Sequence, residues 1–211
     1  MTVTTRWWII RHAPVINHGG RVYGHTDVDA DTTDVPGFRA LAKVLPARPV
    51  YLVTPLKRTM QTLAALVAAQ GDCSGTVSPI IEADLMEQNF GAWQGLTHAE
   101  IHEQRGAEAH RFWLSPASER PENGESFVEV VERVNAALTI LSEEHAGRDI
   151  VAVLHGGVIR AALAVALGIE AEAALRFSVH NLSLTRLTHY APGDGSPPAW
   201  GVETVNAVMR P

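Results

Sequence analysis

Residues Ile150 to Leu154 form an unbroken apolar run that stops abruptly at His155-Gly156-Gly157. A strand that is apolar on both faces must be covered on both faces, so such a run belongs inside a sheet flanked by further layers. A second run, Arg6 to Ile10, is rich in aromatic and β-branched residues and stops in the same manner at Arg11-His12-Ala13-Pro14. Pro14 cannot donate to a sheet ladder, so strand gives way to loop there.

The rest of the chain alternates strand and helix signals. Helices are predicted over Pro36–Leu45, Leu56–Ala69, Thr97–Gln104, Ala107–Leu114 and Gly156–Leu167. Another is predicted over Ser126–Glu144, where Phe127, Val130, Val131, Val134 and Leu138 share one face. Strands are predicted over Val50–Val53, Val77–Ile81, Ser183–Tyr190 and Gly201–Val205. Thr54 is placed to cap the second helix, with Pro55 at its first position. The expectation is an α/β fold: a three-layer α/β/α sandwich with a mostly parallel central sheet, in a single domain over residues 1–211.

Net charge is −6, which argues against a general nucleic-acid binder but not against a small anionic substrate, because local charge governs a pocket. No apolar run is long enough to span a bilayer and no targeting signal stands out. The single Cys73 forms no internal disulfide, which suits a reducing, cytoplasmic setting. His98 and His102 lie four apart, a spacing able to hold a metal, but no third ligand accompanies them, so a solvated helix face is expected.

The chemistry concentrates where strands end. Arg11-His12 follows one strand, His155-Gly156-Gly157 another, and Thr54-Pro55-Leu56-Lys57-Arg58 a third. Loops at the carboxyl ends of strands are the usual ligand sites of open α/β sheets. Two guanidinium forks and two imidazoles converging there would match a phosphoryl group and offset its charge without a metal. A neutral imidazole can attack phosphorus if its other nitrogen is held as a donor.

At this point a resemblance becomes specific. Arg11-His12-Ala13 resembles the Arg-His-Gly signature of the histidine phosphatase superfamily, the phosphoglycerate mutase-like proteins. Tyr23 to Asp27, Thr54 to Thr62, Leu85 to Gly95, Gly124-Glu125-Ser126 and Val153 to Arg160 resemble that family's further blocks, in order. The resemblance implies His12 as nucleophile, with Arg11, Arg58 and His155 binding the phosphoryl oxygens. It implies Glu87 as the acid that protonates the leaving oxygen and then the base that activates water. Asn17, Arg21, Gly24 and Gly156 join the expected substrate contacts. Glu125 is read either as a substrate contact or as a carboxylate at a helix start. The chain departs from the family at Ala13 and Pro14. Its Arg-His-Ala-Pro run is similar to α-ribazole phosphatases, which implies α-ribazole 5′-phosphate as a substrate.

The expected activity is thus a phosphomonoesterase acting on a small phosphorylated metabolite, with no cofactor and no metal. Family habit points to a homodimer. A phosphoglycerate mutase uses the same apparatus. Family mutases commonly carry a longer insertion between the acid and the second histidine than the stretch from Glu87 to His155. A non-catalytic phospholigand-binding module is the alternative of another class, opposed by the presence of both His12 and Glu87.

Overall fold

The computed structural model describes residues 1–16, 18–71, 77–106 and 116–210. Asn17, Cys73 and the helix expected over 107–114 lie outside the described residues.

Six strands form one sheet in the order β3-β2-β4-β1-β5-β6. They are β1 (Thr2–Arg11), β2 (Val50–Val53), β3 (Ile80–Ile81), β4 (Asp149–Leu154), β5 (Ser183–Pro192) and β6 (Ala199–Val208). β3, β2, β4 and β1 run parallel, while β5 returns antiparallel on β1 and β6 antiparallel on β5. The helices are α1 (Val35–Ala42), α2 (Lys57–Ala69), α3 (His98–Arg105), α4 (Phe127–Glu144), α5 (Gly156–Leu167) and α6 (Ala171–Ala174). Among the described residues no helix is long and apolar enough to cross a membrane.

Strand alternation sorts the core into two layers. Trp7 and Ile9 of β1, with Ile150, Ala152 and Leu154 of β4, pack against α4 and α5. Ile10 and Val151 face the other way, onto Phe38 and Leu41 of α1 and Leu66 of α2. The two-sided burial read from Ile150–Leu154 is therefore present, with all five residues wholly buried.

Most elements fall where the sequence places them. α4 begins at a capping box: Ser126 Oγ accepts from Glu129 N at 3.2 Å, and Glu129 Oε2 accepts from Ser126 N at 2.7 Å. β3 is shorter than Val77–Ile81, and α6 and three short 3-10 turns carry too few periodic residues to be seen in advance. The start of α2 needs correction. Its N-cap is Leu56, without a side-chain cap bond. Leu56 N reaches Thr54 Oγ1 only at 3.4 Å, because that hydroxyl is turned to His155 instead.

Candidate active site

Arg11 and Leu154 are paired partners at the carboxyl ends of β1 and β4, and Val53 ends β2 on the far side of β4. The next residues of these three adjacent strands are His12, His155 and Thr54. Parallel alignment thus delivers the residues to one rim of the sheet, and the first turn of α2 adds Arg58. His12, Thr54, Arg58 and His155 are all wholly buried.

His12 is held at both backbone and ring. Its N–H donates to Leu154 O at 2.9 Å, and its carbonyl accepts from Asn181 Nδ2 at 2.8 Å. Leu182, in the left-handed region at φ 57°, turns the chain so that its own N–H bonds Arg11 O at 3.0 Å. The His12 ring places Nδ1 2.7 Å from Ala13 O. A carbonyl only accepts, so Nδ1 carries the proton and Nε2 holds a lone pair. Burial first, then the charges of Arg58 and Arg11, hold the His12 pKa down to about 3, against the raising effect of the Ala13 carbonyl. The ring is neutral at ordinary pH, and Nε2 is buried with no partner.

His155 is the opposite case. Its ring centroid lies 5.4 Å from that of His12. Nδ1 accepts from Arg58 Nε at 3.3 Å, and Nε2 donates to Thr54 Oγ1 at 2.9 Å. Burial, followed by Arg58 and His12, holds its pKa well below the ordinary imidazole range.

The guanidiniums are fixed by carbonyls. Arg58 Nη2 donates to Gly24 O at 2.6 Å and Nη1 to Thr26 O at 3.0 Å, with its Cζ 4.9 Å from the Tyr23 ring centroid. Gly24 therefore enters the site through its carbonyl. Burial lowers the Arg58 pKa while Glu87 opposes that shift. Arg11 Nη1 donates to Val179 O at 2.5 Å, leaving Nε buried and without a partner. Arg11 Nε and Arg160 Nη1 each lie 3.4 Å from where a Cβ on Gly156 would stand. Arg160 is itself anchored by Nε on Phe177 O at 2.8 Å.

Glu87 reaches the rim from another direction. It sits on extended chain after the turn Ala83–Leu85, with its carboxylate against the start of α5. Oε1 accepts from Gly157 N at 3.1 Å and from Gln88 N at 3.0 Å, and Oε2 shares the Gly157 N–H at 3.3 Å. A helix N-terminus offers such free N–H groups to an anion. A Cβ on Gly157 would collide with Glu87 Oε1, so the carboxylate approaches only because that residue is glycine.

Arg21 is committed at the surface, donating to Gly95 O at 2.7 Å and to Glu100 Oε2 at 3.2 Å. His98 and His102 are exposed on α3. Neither expectation for Glu125 describes it fully, since its carboxylate forms a two-bond pair with Arg133 of α4. Arg133, Asn181, the Thr54 hydroxyl and His25, whose Nε2 lies 2.7 Å from Glu87 O, are the members of this neighbourhood that sequence reasoning missed. Only Glu125, just ahead of the capping box, offered a clue to one of them.

Chemically, the rim combines an electron-pair donor, His12 Nε2, with a free N–H donor, Arg11 Nε, among guanidinium charges. Such a pair can meet the phosphorus and an oxygen of one phosphoryl group. A profile of the histidine phosphatase superfamily (branch 1) matches residues 7–199, and the chain belongs to that superfamily. It is a phosphatase of that family, an enzyme of the phosphomonoester-hydrolysing class. A glucosyl-3-phosphoglycerate phosphatase of Mycolicibacterium vanbaalenii is 32% identical over 216 residues, covering 94% of this chain and 93% of its own. A metal-independent phosphoserine phosphatase of Arabidopsis thaliana is 32% identical over 159 residues, covering 72% and 65%. The solved structure of a mycobacterial glucosyl-3-phosphoglycerate phosphatase matches with a TM-score of 0.80 at 29% identity, over 97% of this chain and 99% of that one. The structure of a candidate α-ribazole-5′-phosphate phosphatase from Escherichia coli matches with a TM-score of 0.79 at 22% identity, over 98% of each chain, a likeness of fold alone.

Proposed function

We propose that this phosphatase works through a phosphohistidine on His12. The observation that carries the proposal is the pair of unpartnered buried atoms at the rim, His12 Nε2 and Arg11 Nε. A buried group left without a partner costs roughly 1–3 kcal/mol, and an arriving phosphoryl group relieves both. His12 Nε2 attacks phosphorus in line while the bond to the leaving oxygen breaks. Glu87 gives a proton to that oxygen. Oε1 already accepts two N–H groups, so Oε2 is the oxygen with room for the proton. Water then attacks the phosphohistidine, the P–N bond breaks back to His12, and Glu87 takes the proton of that water. Arg11, Arg58 and His155 hold the phosphoryl oxygens, which compete with His155 Nδ1 for the Arg58 Nε–H and with Thr54 Oγ1 for the His155 Nε2–H. These groups supply the charge for the transfer, and the proposal includes no metal.

The substrate is a small phosphomonoester with an alcohol leaving group. Relatives matching nearly the full length support a phosphorylated hydroxy acid carrying a sugar, as in glucosyl-3-phosphoglycerate. Support for α-ribazole 5′-phosphate is the Arg-His-Ala-Pro run together with a likeness of fold. Both compounds belong in one screen that measures released phosphate, with 3-phosphoglycerate added to detect any 2-isomer.

The decisive test uses p-nitrophenyl phosphate in excess EDTA, wild type against His12→Ala, with an alkaline quench of labelled enzyme. Turnover that survives chelation, with acid-labile label on wild type only, is expected. Turnover or label that persists without the His12 imidazole sinks the mechanism.

A further inference from the structure

Glu87 sits on a segment with little regular structure of its own, yet its backbone is tied down on both sides by one ion pair. Arg133 Nε and Nη2 bond Glu125 Oε2 and Oε1, both at 2.9 Å. The two side chains are only 21% and 17% exposed. From those two side chains three further bonds reach the Glu87 segment, and the Glu125 backbone adds two more, one of them from its N–H to Asn89 O at 2.9 Å. Arg133 Nη1 donates to Asp84 O at 2.6 Å, and Nη2 to Glu87 O at 3.3 Å, a carbonyl that His25 Nε2 also meets at 2.7 Å. Glu125 Oε1 accepts from Asn89 N at 2.8 Å, and Glu125 O accepts from Gln88 Nε2 at 2.9 Å.

Helix geometry makes this choice of partner informative. Arg133 has Glu129 one turn before it, the ordinary surface pairing on a helix. Glu129 is occupied by the capping box and by Arg120, 3.0 Å away. Arg133 instead reaches past the helix start to Glu125, and the bidentate fork fixes direction as well as distance.

We propose that Arg133 and Glu125 are positioning residues for proton transfer: a strut between α4 and the 84–89 segment that sets the Glu87 carboxylate against the leaving oxygen. The proposal rests on Glu87 being the acid, as argued above. It predicts a defect that depends on the leaving group. An ester of an acidic phenol departs without a proton, whereas an alkyl ester needs one.

The experiment compares kcat/KM for glycerol phosphate and for 2,4-dinitrophenyl phosphate in wild type, Glu87→Gln, Arg133→Lys and Glu125→Gln. Both substrates are assayed on the same preparation, so the ratio is independent of the folded fraction. Arg133→Lys keeps the charge and removes the fork. Glu87→Gln should lower the alkyl-to-aryl ratio about 10²-fold or more. Arg133→Lys and Glu125→Gln should lower it about 10-fold or more. The double variant should be no worse than the poorer single, as expected of two residues acting through one strut. A ratio lowered by Glu87→Gln but left at the wild-type value by both strut variants overturns the positioning role. A ratio unmoved by Glu87→Gln itself overturns the acid role and the strut with it, and that variant alone tells the two failures apart.

Discussion

His12, Arg58 and His155 leave strand ends or the first turn of a helix and are wholly buried, whereas Glu87 rides on extended chain and is only partly covered. The first group is fixed by the sheet: neighbouring parallel strands cannot shift register without exposing the core. The second is held by the N–H groups of Gly157 and Gln88 on its carboxylate, and its chain is bonded to the Glu125–Arg133 ion pair at the start of α4. The contrast matches two chemical tasks. A phosphoryl group is the same in every substrate and suits a rigid cradle. The leaving group varies, and Glu87, the proposed acid, stands on a part of the chain that can change without disturbing the sheet.

The sharpest way to break this comparison is at the cradle. His12→Ala should cost about 10⁴-fold or more in kcat/KM on activated and unactivated esters alike, since neither departs without a nucleophile. A loss confined to alkyl esters would erase the distinction between the two regions. Next in size come the two adjacent glycines. Gly157→Ala drives a methyl group into the Glu87 carboxylate and should cost roughly 10²-fold on alkyl phosphates, with far less on dinitrophenyl phosphate. Gly156→Ala meets Arg11 and Arg160 at 3.4 Å, ordinary contact, and should cost about threefold or less on either ester, well below the scale of a misplaced catalytic group. Equal losses at the two positions, in paired kinetic assays, would contradict the geometry.

A smaller effect concerns pH and stability. The His12 pKa lies near 3 in the folded chain against an ordinary 6.5. Between those values the unfolded chain binds a proton that the folded chain refuses, so stability present above about pH 6.5 is lost as pH falls toward 3. The slope is about 1.4 kcal/mol per pH unit for each such histidine. Denaturant titrations across pH 4–7 should show His12→Gln with a shallower slope than wild type by about that amount. Identical slopes would mean that His12 takes up its proton in the folded state.

The cradle was legible in the sequence because its signals are local and redundant. An apolar run that ends in Arg-His or His-Gly-Gly announces a strand and the chemistry at its tip together. Thr54 was misread because a hydroxyl beside a helix start has two partners within reach, and only tertiary packing decides between Leu56 N–H and His155. Arg133 escaped notice for a related reason. On the polar face of an amphipathic helix it looks like a solvated cation, and its partner is set by the capping box that withdraws Glu129. Asn181, 169 residues from the His12 carbonyl it holds, had no local signal at all.

That separation bears on how the molecule is made. β1 lies between β4 and β5, so its Trp7-Trp8-Ile9-Ile10 stretch has no neighbour until the chain has been synthesised past Leu154, and lacks its second until Pro192. At about 5–20 residues per second the nascent chain carries that sticky segment unpaired for roughly 7–30 s. Arg6 and Arg11 bracket it. Besides their bonds in the finished fold, the two charges stand where gatekeeper residues flank an apolar strand that must wait for its partners.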